Sequence, residues 1–263
     1  MPRRNLLKGG LMGLLAGLFP AARAQAAPPA GAGTAPPMTA IDDPRYDRFF
    51  AARSQLWATI GTVDEDVIAY LISPEFNGAP AWPTTRQAFR TVRTGRSLII
   101  ASDGLSDLFV DTTMPEPGFE CEVYLESPDL AGADFAAIRA SWQFALIENF
   151  ARNVADFGGI NDRLERFGVV SMELPAPATM PQRWITPRGS VGALIDVQVP
   201  GRPTVCQLAD DVAIRVIALT LLLPDETEHA ITGGAAARAE IAQKLVASGT
   251  GLTSPADRRS VLA

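Results

Sequence analysis

The chain has 263 residues, 47% hydrophobic and 20% charged, an ordinary globular composition that excludes disorder over most of its length. The formal charge is −6, but the first 26 residues hold four cations and no acid, so the rest carries 19 basic against 29 acidic residues, or −10. Such a surface repels nucleic acid phosphates and anionic membranes and suits a basic protein partner, while a single histidine, His229, excludes metal motifs built on two imidazoles.

Residues 1–26 begin with Arg3, Arg4 and Lys8, continue through a nine-residue apolar run from Leu11 to Phe19, and end in small residues spaced A-x-A at Ala22, Ala24 and Ala26. This is the pattern of a cleavable signal peptide, and Arg3-Arg4 ahead of a glycine-bearing, mildly hydrophobic run resembles the twin-arginine type. The run is too short to cross a hydrocarbon core, which needs about 20 helical residues. The expectation is therefore a periplasmic or secreted protein without stable membrane insertion. Residues 27–40, rich in Pro, Gly and Ala and free of charge, form a flexible linker, and residues 41–263 form the folded domain.

Within that domain, Pro44 at a first-turn position and Tyr46, Phe49, Phe50, Arg53, Leu56 and Trp57 at helical spacing predict an amphipathic helix ending near Gly61. Val67 to Ile72 reads as a buried strand. Arg86, Arg90, Arg93 and Arg96 then place four guanidinium groups in eleven residues. They suit either an anion clamp or, as the preferred reading, the polar side of a sheet, where they neutralise Glu120, Glu122 and Glu126 on a neighbouring strand.

The stretch from Leu98 to Glu126 is the centre of the chain. Leu98 to Ala101 and Phe119 to Glu126 read as two strands joined by a long loop whose Asp103-Gly104 pair supplies a turn. In the second strand Phe119, Cys121, Val123 and Leu125 alternate with Glu120, Glu122, Tyr124 and Glu126, a period of two that predicts one apolar inner face and one acidic outer face. A single long helix is expected over Asp134 to Phe157, stopped by Gly158-Gly159. Strands are expected at Phe167 to Leu174, Ala193 to Val199 and Val212 to Leu223, followed by a short helix opening at Pro224 and a last helix over about Ala235 to Ala247. The fold class is α+β: a mixed or antiparallel sheet covered by helices.

Four words in this domain, LIIASDGLSDLF, GFECEVYLES, LTLLLPDE and RRSV, together resemble the bacterial suppressor-of-fused-like family, in the order that family shows them, over roughly residues 81–261. Ser102, Asp103, Gly104, Ser106 and Asp107 match its SDG-x-S-D word, and Gly118 to Glu126 match its G-F-x-x-E-V-Y-x-E word. The resemblance implies a mixed α+β domain that binds other proteins, in an immunity-like or scaffolding role, with no catalytic centre and no cofactor. This chain departs from the family in its export signal and in Leu108, where a proline is expected.

The expected partner-binding surface combines the turn residues Ser102, Asp103, Gly104, Ser106 and Asp107 with the outward face Glu120, Glu122, Tyr124 and Glu126, where carboxylates flank an aromatic ring. The competing expectation is that Arg86, Arg90 and Arg93 already occupy those acids inside the domain. A different class of function would use Asp103, Asp107 and Asp111 to gather oxygens around Ca²⁺, or a pair of acids to hydrolyse a polysaccharide; neither spacing is that of an EF-hand loop. No G-x-S-x-G is present to support a serine hydrolase. Cys121 lies on the apolar face of its strand, so it and Cys206 are expected as buried free thiols rather than a disulfide.

Overall fold

In the computed structural model residues 43–109 and 116–263 are described; the signal-peptide and linker segments and Asp111 lie outside them. Helix α1 (Pro44–Ile60) starts where Asp43 accepts a hydrogen bond from the Arg45 amide at 2.8 Å, with Pro44 at a position whose missing N–H costs nothing. Its buried residues Phe49, Arg53 and Trp57 recur every four positions, so one stripe faces the sheet.

Strands β1 (Thr62–Ala69), β2 (Ala88–Arg93), β3 (Leu98–Asp103) and β4 (Cys121–Ser127) form an antiparallel run in chain order. Strand β4 then pairs in parallel with β8 (Val212–Leu222), and β8 passes to β6 (Ser190–Ile195) and β5 (Val170–Pro175), both antiparallel. Strand β7 (Val205–Ala209) pairs with the first half of β8, while β6 takes the second half. The result is one mixed sheet of eight strands, so the expected α+β class and mixed sheet hold.

Both faces of the sheet are covered. Cys121, Val123 and Leu125 of β4 share one apolar cluster with Leu146, Ile147 and Phe150 of α3 (Trp142–Phe157). Tyr124 of the same strand belongs to a second cluster with Phe49 and Trp57 of α1 and Ile241 and Leu245 of α5 (Pro224–Ala247). The two cysteines are free and buried, Cys121 in the first cluster and Cys206 in the second, so the sheet itself stands between them.

Four sequence expectations change. The predicted helix over Asp134 to Phe157 is two helices, α2 (Phe135–Arg139) and α3, because the Ser141 hydroxyl accepts the Phe144 amide at 3.1 Å and starts a new N-terminus. The strand expected at Phe167 to Leu174 begins later, since Phe167 closes a further helix, α4 (Ile160–Phe167). The buried strand expected at Val67 to Ile72 is the edge strand β1, displaced towards the N-terminus, with Leu71 and Ile72 past its end and exposed. The short helix at Pro224 and the last helix are joined as α5 but separated by a kink at Gly234, whose φ of 63° is outside helical space.

Candidate functional site

The Ser102 to Asp107 turn and the polar face of β4 meet beneath α1. Glu122 sits at the centre: its Oε1 accepts hydrogen bonds from the Gly104 amide at 3.1 Å, the Ser106 amide at 3.1 Å and the Ser106 hydroxyl at 2.6 Å, and its Oε2 accepts one from Ser102 at 2.5 Å. Gly104 is required there, since its φ is 151° and a Cβ would lie 2.7 Å from the Arg86 carbonyl oxygen. Gly118 likewise lets the chain pass the turn, because a Cβ on it would stand 2.3 Å from the Leu105 carbonyl oxygen.

From α1, Arg53 reaches into this turn with all three nitrogens occupied. Nε donates to Asp103 at 2.9 Å, one terminal nitrogen to Ser106 at 3.0 Å, and the other to Asp107 at 2.6 Å, with Glu122 at 3.7 Å from Nε. The other Asp103 oxygen accepts from Arg86 at 2.6 Å and Arg90 at 2.5 Å. Three carboxylates thus face three guanidinium groups, and Arg53, Asp103, Asp107 and Glu122 are each no more than 1% exposed. The cluster is charge-balanced, and of its buried polar side-chain atoms Arg90 Nε alone has no partner, close to the condition under which buried ions are tolerated.

The acids of this cluster differ in their tendency to ionise. Burial opposes charge on Asp103, but Arg53, Arg90 and Arg86 outweigh it and hold the carboxyl below its ordinary value. On Asp107 burial wins over Arg53, and the value is raised. Arg53 is buried as well, yet Glu122, Asp103 and Asp107 push its value above that of a free arginine, so it is permanently charged. Cys206 is pushed up to about 11, first by burial, so it is a poor nucleophile.

The acidic face of β4 is therefore not an outer surface. Glu122, Tyr124 and Glu126 are buried, with Tyr124 edge-on against Trp57 at a ring-centroid distance of 5.5 Å. Glu126 accepts from Arg202 at 2.6 and 2.7 Å and from Ser97 at 2.5 Å. Burial and then Glu126 raise the Tyr124 phenol above the ordinary tyrosine value. Of the nine residues expected at the surface only Glu120 is exposed, and Ser102, Asp103, Ser106 and Asp107 are buried with the rest. The physical reason is position: β4 lies between β3 and β8 with helices on both faces, so its period of two separates two interior environments.

The arginine partners expected for the β4 acids are also reassigned. Arg86 and Arg90 serve Asp103, Arg93 serves Asp64 at 2.8 Å, and the β4 acids are met by Arg53 and Arg202. Arg53 was visible in the sequence as a cation on the apolar stripe of its own helix, between Phe49 and Trp57; Arg202 carried no comparable signal. The Asp103 and Asp107 oxygens are taken by arginines and Thr84, and among the described residues no group of three or more His, Cys, Asp or Glu side chains is placed to hold a metal ion.

A second buried pair closes the other end of the domain. Arg258 donates to both oxygens of Glu226 at 2.7 and 2.6 Å and to the Leu221 carbonyl at 3.1 Å, while Glu226 accepts the amides of Leu223 and Val261, each at 2.9 Å. This clasp ties the C-terminal segment to the end of β8 and the start of α5. A surface concavity of about 710 Å³ beside it is lined by Lys244, Thr250, Arg259 and Ser260 and shares no residue with the Glu122 cluster. No described helix is long and apolar enough to cross a membrane. No family model matches the chain, and no curated protein matches it at a significant level.

Proposed function

We propose that the chain is an exported, non-enzymatic protein-binding module of the suppressor-of-fused-like kind, acting in the periplasm or outside the cell on a basic protein partner. What carries the reading is how the four resembling words pair in space. The SDG-x-S-D word supplies Ser102, Gly104 and Ser106 to Glu122 of the second word, and the PDE word supplies Glu226 to Arg258 of the last. Four short words that are weak singly thus reduce to two buried clusters that lock the layers of one domain, which is how a shared framework leaves its mark on sequence. The role of these residues is to hold the framework; the partner is met elsewhere on the surface, and the excess of acid over base favours a basic one.

Crosslinking the exported protein in its own cell envelope tests the proposal. A protein captured reproducibly supports it, whereas release of a small product from an envelope polymer replaces it with a hydrolase. Fractionation of the Arg3→Lys/Arg4→Lys variant tests the route, with loss of export and processing as the expected result. Normal processing of that variant would refute the twin-arginine route.

A further inference from the structure

Strand β1 is an edge of the sheet: it pairs with β2 alone, and the Thr62 to Ile72 backbone makes no hydrogen bond to any other described element. Edges of this kind are templates for an added strand unless something blunts them. Here the blunting is confined to the first half. Val63 pairs with Val92 and Val67 with Arg90, so Asp64, Glu65 and Asp66 together oppose Thr91 in a bulge. From Val67 to Ala69 the strand is regular again.

This second half is also where apolar surface gathers. Among the described residues, five of the twelve exposed large apolar side chains lie between Val67 and Phe76, including Leu71, which is fully exposed, Ile72 at 67% and Phe76 at 73%. Solitary exposed apolar residues are normal, but a run of this density beside an open sheet edge marks an interaction site. The opposite edge strand, β5, differs, because Val170 and Met172 pack into the α3-side cluster.

The charge around β1 selects the occupant. Residues 62–80 contain Asp64, Glu65, Asp66 and Glu75 and no cation. Asp64 is neutralised by Arg93, whereas Glu65 and Asp66 are exposed and make no ion pair or side-chain hydrogen bond within the described residues. The same stretch of a second copy would bring four more acids and no cation to the edge, so the charge disfavours self-association.

We infer that the β1 edge from Val67 through Ala69, with the exposed Leu71, Ile72 and Phe76 just beyond it, binds an extended basic-apolar segment of another protein as an additional strand. Main-chain hydrogen bonds to the edge give affinity; apolar side chains cover Leu71, Ile72 and Phe76, and arginine or lysine side chains meet Glu65 and Asp66. This rests on the protein-binding reading and assigns it a surface and a class of ligand.

The test is a titration of the mature protein with a fluorescent nine-residue peptide alternating arginine and valine, read by anisotropy, with amide hydrogen exchange read in parallel. The expected result is saturable binding that slows exchange within residues 67–72. Binding should weaken at least tenfold in Leu71→Ser/Ile72→Ser and in Glu65→Gln/Asp66→Asn, both of which keep the parent melting midpoint. A peptide of the same charge with every backbone nitrogen methylated, which leaves neither edge a donor for a ladder, should lose binding to the same extent. Equal binding of the methylated peptide, no protection at β1, or no binding at all would overturn the inference. So would a dimer in sedimentation that Leu71→Ser/Ile72→Ser disperses, since the occupant would then be a second copy. If the peptide fails while envelope crosslinking still captures a protein, the β1 assignment falls and the binding reading survives; if crosslinking yields only a polymer fragment, that reading falls by itself.

Discussion

Replacing Arg53 with methionine tests whether the Glu122 cluster is the structural lock of the domain. The substitution keeps the aliphatic stem of the side chain but deletes three hydrogen bonds, to Asp103, Ser106 and Asp107, and leaves three buried carboxylates facing only Arg86 and Arg90. Stranding a buried charge costs about 3–5 kcal/mol, which at about 2–4 °C per kcal/mol for a domain of this size lowers the melting midpoint by roughly 6–20 °C at pH 7. The deficit should also depend on pH in a defined direction. Burial already raises Asp107 with Arg53 present, and removing Arg53 raises it further. A carboxyl whose folded pKa lies above its unfolded value is penalised as pH rises through that interval, so the midpoint gap between parent and variant should be wider at pH 7 than at pH 4.5.

Circular dichroism melts of the two proteins at both pH values, with urea unfolding as a check on cooperativity, measure these quantities. The double variant Arg53→Met/Asp107→Asn removes one stranded acid and should regain part of the loss. A fall of less than about 3 °C at pH 7, or a gap that widens as pH falls, would show that the cluster is not the lock described.

Glu122→Arg would set a fourth cation among Arg53, Arg86 and Arg90 and leave the Gly104 and Ser106 amides without an acceptor; it should abolish soluble folding or lower the midpoint by more than Arg53→Met, as compared by melting. Arg258→Met should cost about 3–5 kcal/mol in urea unfolding by stranding Glu226. Asp103, held below its ordinary value, contributes stability that is complete above about pH 4 and lost as pH falls through its folded value, so Asp103→Asn should flatten the acid limb of the stability curve. Native protein should leave both cysteines unreacted with a thiol reagent over minutes and release two thiols on unfolding without reductant; release of none would indicate a disulfide.

Local features were legible from the sequence because they depend on neighbours in the chain. Pro44 opens α1, Gly158 and Gly159 close α3, and the alternation along β4 sorts Cys121, Val123 and Leu125 from Glu122, Tyr124 and Glu126 as two distinct faces. The break before α3 was missed because Ser141 sits within an unbroken apolar period, and a cap shows its role only when its hydroxyl meets an amide three residues on.

Whether either face of β4 meets water was a tertiary decision. Periodicity reports that two faces differ in chemistry, and an acidic face defaults to solvent unless cations arrive to balance it. Here they arrive from far along the chain: Arg53 lies 50 residues from Asp103, and Arg202 lies 76 from Glu126. Only the parallel junction of β4 with β8 and the docking of α1 bring them there. The composition of the site was therefore written in the sequence, while its burial, and with it the change from contact surface to internal lock, belongs to the topology that covers both faces of one strand.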